Sequence, residues 1–407
     1  MSIEPQGANV FPEALSTREA WLEPFDWYRE MRENAPVHYD PERNAWDVFR
    51  YADVKRILGD DATFSVDPEN APDFVSPKMD GQEMAISSMV SEDPPRHDEL
   101  RDVVDDSFRP QAIRELKPRI RDLTGELLDN ALDREGEIDL VEEFAYPLPV
   151  MVIAELLGVP VEERDQFKEW SDALIAAPSD PESGEAFAER QIELFQEMSG
   201  YFMQLIKERR QDPREDLIST IANAEIDGEP LPPENMVGLC ILLLVAGNIT
   251  TTNLIANAMR CFGENDLFET YTEAGVVPTP TIEEVLRYRS PVQAMSRFTT
   301  EDVTIGDESI EAGEVVVAWM GSANRDNRQF PEGDSFVPDR SPNQHIGFGY
   351  GAHYCLGAPL ARLEADVALS ELFGRLADVE IPDTTLQPTR SSFIYGVDSL
   401  PIRYATV

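Results

Sequence analysis

The chain has 407 residues, 42% hydrophobic and 28% charged, enough for one large packed domain or two to three ordinary ones, and not a disordered tail or a mini-protein. Asp and Glu number 78 against 34 Lys and Arg, a formal charge of -44, which excludes non-specific binding to nucleic acid or to an anionic membrane. Three widely spaced cysteines, Cys240, Cys261 and Cys355, are too few to staple a secreted domain of this size, so a reducing, cytoplasmic home is expected.

The amino terminus shows no basic region leading into an apolar run, so no leader or anchor is expected. The longest apolar stretch, Met236 to Ala246, has eleven residues, too few to cross a bilayer. Surplus negative charges repel one another in dilute buffer, and molar salt shortens the screening length to about 3 Å. Lysine occurs only at Lys55, Lys78, Lys117, Lys168 and Lys207, and every other cation is arginine. Together these point to a halophilic source.

No internal repeat or long Gly/Ser linker interrupts the chain, and a single domain over 1–407 is expected. Residues 36–51, PVHYDPERNAWDVFRY, read as two short β-leaning runs around a turn, followed by the helical pattern ADVKRILGD. From Pro94 to Ile226 the pattern is helical, with apolar residues three and four apart in IRELKPRIRDLTGELLDNAL, DLVEEFAYPLPVMVIAELLGV and EAFAERQIELFQEMSGYFMQLIKERR. Pro232, Pro233 and Glu234 then open NMVGLCILLLVAGNITTTNLIANAMRCF, apolar nearly all round and therefore a helix through the core. An amphipathic helix at TIEEVLRYR follows, then short strands in VTIGDESIEAGEVVVAWM. An irregular stretch from Arg325 to Gly351 comes next, then a helix from Leu356 and strand-like ends at SSFIYGV and LPIRYATV. The fold class is mainly α with minor β. A long irregular stretch inside a packed domain is usually functional.

That stretch leads into residues 348–357, Phe-Gly-Tyr-Gly-Ala-His-Tyr-Cys-Leu-Gly. Its glycines permit close backbone approach, and Cys355 opens a helix, where unpaired N–H groups and the positive dipole end favour a thiolate. A lone thiolate is not a zinc site, since structural zinc wants four N or S ligands. One axial thiolate suits haem iron better. A cysteine nucleophile would need a base with an orienting third group; His353 is two residues away, but nothing nearby supplies the third.

The segment resembles the haem-binding signature of the cytochrome P450 family, Phe-Gly-x-Gly-x-His-x-Cys-x-Gly, at every fixed letter. The resemblance implies a cytochrome P450 fold with a long central helix over a haem and a small amino-terminal β region. Cys355 would be the proximal ligand of haem b iron. Phe348 would pack near the sulfur, Gly349 would belong to the haem-binding loop, and Gly357 would let the next helix approach the porphyrin. Glu284 and Arg287 are similar to the family's Glu-x-x-Arg, although i,i+3 pairs are more often solvated salt bridges. In the family a basic residue before the cysteine completes that network. Ser335 aligns there, with Arg340 as a substitute.

DPPRHDELRDVVDDSF resembles the family's His-x-x-x-Arg helix, setting His97 and Arg101 one turn apart. They would pair with a haem propionate, and Arg297 and His353 match the other propionate partners, because burying propionates without cations is costly. His38 and His345 read as ordinary hydrogen-bonding residues. Ala246 to Thr251 looks like the family's oxygen-binding segment, Ala-Gly-x-(Asp/Glu)-Thr. The resemblance gives Thr250 the hydrogen bond that steers protons to dioxygen, with Thr251 beside it. Glycine and threonines predict a local distortion of the helix there. Ile249 departs from the family, which usually has a proton-relaying carboxylate at this place. As a core apolar residue, Ile249 shapes the pocket.

The implied activity is monooxygenation of an apolar small molecule, with electrons from NAD(P)H through a ferredoxin and its reductase. Two alternatives remain open, a haem-thiolate gas-binding or sensing protein and a peroxide-using oxidase. The chain has no nucleotide-binding glycine loop and so would depend on a separate reductase. Arg101, Arg109, Arg114 and Arg362 are candidate docking cations against dispersed solvated arginines. Pocket walls are expected from 84–89, 242–249, 292–296 and 392–395, with Met89, Val245, Ala246, Ala294, Met295 and Ile394 facing substrate. A monomer is expected, without nucleic-acid or membrane partners.

Overall fold

The computed structural model describes residues 11–70, 78–79, 82–83, 88–132, 136–160, 163, 166–167, 169–170, 184–389 and 391–406. The expected amino-terminal hairpin forms: β1 (Val37–Asp40) pairs antiparallel with β2 (Ala45–Val48). Three distant segments join it, β3 (Phe64–Ser65), β4 (Met295–Thr299) and β5 (Val315–Ala318), in the order β1-β2-β5-β4-β3. Central β5 runs parallel to β2 and antiparallel to β4, which sets Val316 between Trp46 and Arg297. All four β5 residues are buried, so this strand shows a continuous apolar run rather than alternation.

Helices build the rest of the molecule. Those that position the site are α1 (Tyr51–Gly59), α2 (Arg96–Phe108), α3 (Lys117–Ala131), α4 (Pro147–Leu157), α5 (Gly184–Gln211), α6 (Pro233–Glu264), α7 (Thr279–Tyr288) and α8 (Ala358–Phe373). The central α6 begins with Pro233 at its first position and Glu234 in its first turn, where a missing N–H costs nothing and a carboxylate meets the positive dipole end. α4, α5, α7 and α8 all pack on it, which is why its sequence is apolar nearly all round.

Several expectations change. α6 as a whole is long and apolar enough to span a membrane, with mean hydropathy 1.8 in its most apolar window, but 72% of that window is buried inside the protein. It is a core helix. The helical run expected from Pro94 to Ile226 is interrupted by Glu137–Asp139, which pairs with the carboxy-terminal strand Pro401–Thr406, and it ends in a strand, Glu225–Ile226, paired with Glu229–Pro230. IRELKPRIRDLTGELLDNAL divides into Pro110–Glu115 and α3, because Pro118 removes an N–H and belongs in a first helical turn. SSFIYGV is a looped hairpin rather than a strand, closed by the Pro388–Val397 bridge and attached through Ile394 to Val292. The helix after the cysteine starts at Ala358, not Leu356. Arg325 to Gly351 is irregular, as expected.

Candidate active site around Cys355

Cys355 is placed by the backbone on both sides. Its N–H donates to the Phe348 carbonyl at 2.9 Å, closing the loop, and its carbonyl accepts from the Ala358 N–H at 3.3 Å, opening α8. Gly351 makes the turn possible, with φ at 81° and a position where a Cβ would stand 2.5 Å from the Leu58 carbonyl at the end of α1. Burial pushes the Cys355 thiol up, while the N–H groups of Gly357 and Ala358 and the charges of Arg101 and Arg362 pull it down. Burial is the larger influence on the free thiol. Cys355 nevertheless keeps solvent-accessible surface. At Gly357 a Cβ would meet nothing nearer than Cys355 Sγ at 3.9 Å.

Cations gather beside the cysteine loop without a full set of anions. The His97 and His353 rings lie 4.2 Å apart, with His97 Nδ1 at 2.8 Å from Asp98. Arg297, buried on β4, donates from one Nη to the Ser296 carbonyl, and its Nε has no partner. Burial lowers it to about 10, with Asp61 and Asp93 opposing. His353 Nε2 is also buried without a partner, and burial together with Arg297, His97 and Arg101 holds this imidazole down to about 3. Unpaired buried donors of this kind are costly. Arg101 also donates to the Tyr354 carbonyl at 2.8 Å, tying α2 to the cysteine loop.

α6 carries a second set of accessible residues. Leu242, Val245, Ala246 and Thr250 keep accessible surface in the middle of a helix whose neighbouring turns are buried, and their spacing puts them on one face. The helix is unbroken here, not distorted. Its polar side chains bond back to carbonyls one turn earlier: Thr250 Oγ1 to Ala246 at 2.9 Å, Thr252 Oγ1 to Asn248 at 3.1 Å and Asn253 Nδ2 to Ile249 at 2.9 Å. Thr251 and Ile249 are buried. Met295 and Val90 are exposed, at 39% and 52%, whereas Met89, Ala294 and Ile394 are packed in. Positions 84–87 of the expected pocket lie outside the described residues.

Comparison with known proteins identifies the family behind this arrangement. The cytochrome P450 family model matches residues 278–402. Cytochrome P450 109 of Bacillus spizizenii is 43% identical over 405 residues, covering 97% of this chain and 96% of the relative. The chain belongs to the cytochrome P450 family. The erythromycin C-12 hydroxylase of Saccharopolyspora erythraea is 41% identical over 386 residues, covering 93% of each chain. The crystal structure of CYP109E1 from Bacillus megaterium in complex with testosterone superposes with a TM-score of 0.88 at 44% identity, covering 95% of this chain and 99% of that one. The protein is thus a P450 monooxygenase, an oxidoreductase whose family cofactor is haem b.

The residues present fit that cofactor. A haem brings two carboxylates; the buried Arg297 guanidinium, its Nε without a partner, calls for an anion, and the partnerless His353 Nε2 two residues from Cys355 calls for a hydrogen bond. Behind the sulfur, the Arg362 guanidinium lies 4.5 Å over the Phe348 ring and donates to Glu283 at 2.6 Å and to the Tyr354 hydroxyl at 3.2 Å. Burial works against the Glu283 charge, but hydrogen bonds from His345 and Arg362 hold its acid down to about 2. This second layer went unforeseen, because its three members lie far apart in sequence.

The P450 Glu-x-x-Arg pair is fully buried, with Arg287 Nε at 2.7 Å from Glu284. Arg340 Nε completes it at 3.1 Å from both Glu284 oxygens. Ser335 contributes only its carbonyl, which accepts from Arg287 at 2.8 Å. Of the candidate docking cations, Arg101 and Arg362 are committed to the cysteine loop, Arg109 is exposed and paired with Asp105 and Asp106, and Arg114 is exposed. His38 is exposed on β1, and His345 is a hydrogen-bonding residue, as expected.

Proposed function

We propose that Cys355 would hold the iron of haem b through its sulfur and that the space between α6 and the cysteine loop is where an apolar small molecule is oxidised. The observation that carries this is the accessible Cys355 sulfur beside the partnerless Arg297 and His353 donors. When bound, the haem supplies dioxygen activation: one oxygen atom enters the substrate, the other leaves as water, and two electrons and two protons are consumed.

The chain's own part is to bind, orient and shield. Arg297 and Arg101 would neutralise the propionates, with His97 and His353 hydrogen-bonding to them. Phe348, Gly349 and Gly357 would flank the ring, and the Arg362 stack would keep water from the sulfur. Thr250 donates to the Ala246 carbonyl, so its oxygen keeps lone pairs free to accept a hydrogen bond from a water or a proton-bearing group in that space. Ile249 has no proton to give, and the protons would therefore arrive through water held at Thr250. The accessible wall, Leu242, Val245, Ala246 and Met295, is apolar and selects by shape more than by charge. A relative binds testosterone and another hydroxylates erythromycin, which supports a substrate of that size and polarity.

Electrons would come from NAD(P)H through a ferredoxin and its reductase, docking on the exposed Arg109 and Arg114 side. A cytoplasmic, monomeric, single-domain protein of a halophile completes the reading. The carbon monoxide difference spectrum of the reduced protein tests it, with Cys355→Ala alongside. A thiolate-type band that vanishes in the variant is expected; an unchanged pigment in the variant would overturn the assignment. Steady NAD(P)H consumption yielding a hydroxylated product separates turnover from gas binding.

A further inference from the structure

Two asparagines on one face of α6, Asn253 and Asn257, clasp the looped hairpin 388–397, described at 388–389 and 391–397, which carries expected pocket residues. Asn257 Nδ2 donates to the Tyr395 carbonyl and to the Arg289 carbonyl, each at 3.2 Å. Asn253 reaches both ways. Its Nδ2 donates to the Ile249 carbonyl at 2.9 Å, and its Oδ1 accepts from Thr389 Oγ1 at 3.5 Å. The hairpin closes over it through the Thr389 N–H to the Gly396 carbonyl at 3.1 Å.

Gly396 shows how tightly the two are fitted. Its φ is not positive, so glycine is not demanded by the backbone. A Cβ there would fall 1.6 Å from Asn253 Oδ1, 2.2 Å from Asn253 Cγ and 2.9 Å from Asn253 Cβ. The glycine is there for space, and what fills that space is the Asn253 amide. The same hairpin is tied to residues 291–293, where a pocket wall is expected, since the Gln293 N–H donates to the Phe393 carbonyl at 2.8 Å, the Tyr395 N–H to the Pro291 carbonyl at 2.7 Å, and Ile394 bridges Val292.

We propose that Asn253 is a positioning residue that couples the pocket hairpin 388–397 to the Ile249–Thr250 turn of α6. Substrate pressing on Phe393, which keeps accessible surface, moves the hairpin, and the buried amide transmits that movement to the turn carrying Thr250. Because Ile249 offers no side-chain proton, productive chemistry here depends on where that turn holds water, and the amide ties that placement to an occupied pocket. Without the tie, dioxygen takes two electrons and two protons and leaves as hydrogen peroxide, with no oxygen atom delivered to substrate. This inference rests on the monooxygenase reading for its consequence, and on geometry alone for the coupling.

The test uses the haem-loaded protein and three variants, Asn253→Ala, Gly396→Ala and the double variant. Amide hydrogen exchange is followed in 388–397 and in 249–254. Asn253→Ala is expected to speed exchange in the hairpin about tenfold, and Gly396→Ala to speed it in the α6 turn by a similar factor. In the double variant the 1.6 Å and 2.2 Å clashes are gone and only the Cβ contact at 2.9 Å remains. Its turn is therefore expected to exchange more slowly than that of Gly396→Ala alone. With a ferredoxin and its reductase, both single variants release more hydrogen peroxide per NAD(P)H than the parent, at unchanged haem content. Unaltered hairpin exchange in Asn253→Ala, or additive effects in the double variant, would overturn the coupling. Exchange needs no turnover, so it tests the coupling separately from the haem assignment, which the carbon monoxide spectrum tests.

Discussion

Glu283 joins α7, the irregular loop and α8 through one carboxylate, accepting from His345 Nε2 at 2.9 Å and from Arg362 Nε at 2.6 Å. Its acid is held at about 2 against an ordinary value of 4.5, so the folded state prefers the charged form. The stabilisation is present above about 4.5 and is lost as pH falls through about 2. Glu283→Gln should therefore melt below the parent at pH 7, with the gap closing as the pH is lowered through that window, measured by calorimetry. The same variant loosens Arg362 over Phe348 and should broaden the carbon monoxide band. Cys355 was readable in the sequence because six fixed letters specify one loop. The Glu283 layer was not, since hydrogen bonds between residues 62 and 79 positions apart leave no periodic trace.

At the scale of elements, α7 and the 325–351 loop are held together by one guanidinium. Arg287 donates to Glu284 and also to the carbonyls of Asn324, Gly333 and Ser335, at 2.7 to 2.8 Å. An irregular loop has no ladder of its own, and buried carbonyls must find donors elsewhere. Arg287→Met would strand the buried Glu284 charge and three carbonyls, a loss of about 3–5 kcal/mol. Arg340→Ala removes the partly exposed third member and leaves the Arg287 pair intact, so its loss should be clearly smaller in the same urea or thermal unfolding measurements. Equal losses would mean that Arg340, not Arg287, anchors the loop. The elements themselves differed in legibility. α6 could be read from composition alone, whereas the five-stranded sheet could not, because residues 45, 64, 295 and 315 become neighbours only through tertiary packing. β3, two residues long, carries no pattern at all.

For the whole molecule the deciding quantity is the charge of -44. Two salt effects oppose each other. Screening weakens exposed ion pairs such as Arg121–Glu371, Arg190–Glu169 and Arg403–Glu137, which contribute little even in dilute buffer. Screening also relieves repulsion among acids that have no cation to meet, since 78 acids face 34 Lys and Arg. Repulsion grows with the square of the excess charge and acts over the whole surface, whereas each pair is local, so the second effect should dominate. The melting temperature is expected to rise steadily from dilute buffer to molar KCl, where the screening length falls to about 3 Å. Excluded-solute stabilisation can be subtracted with sucrose, which favours burial without screening charge. A curve that is flat, or that sucrose reproduces, would place the acidity outside salt adaptation and remove the case for a halophilic source.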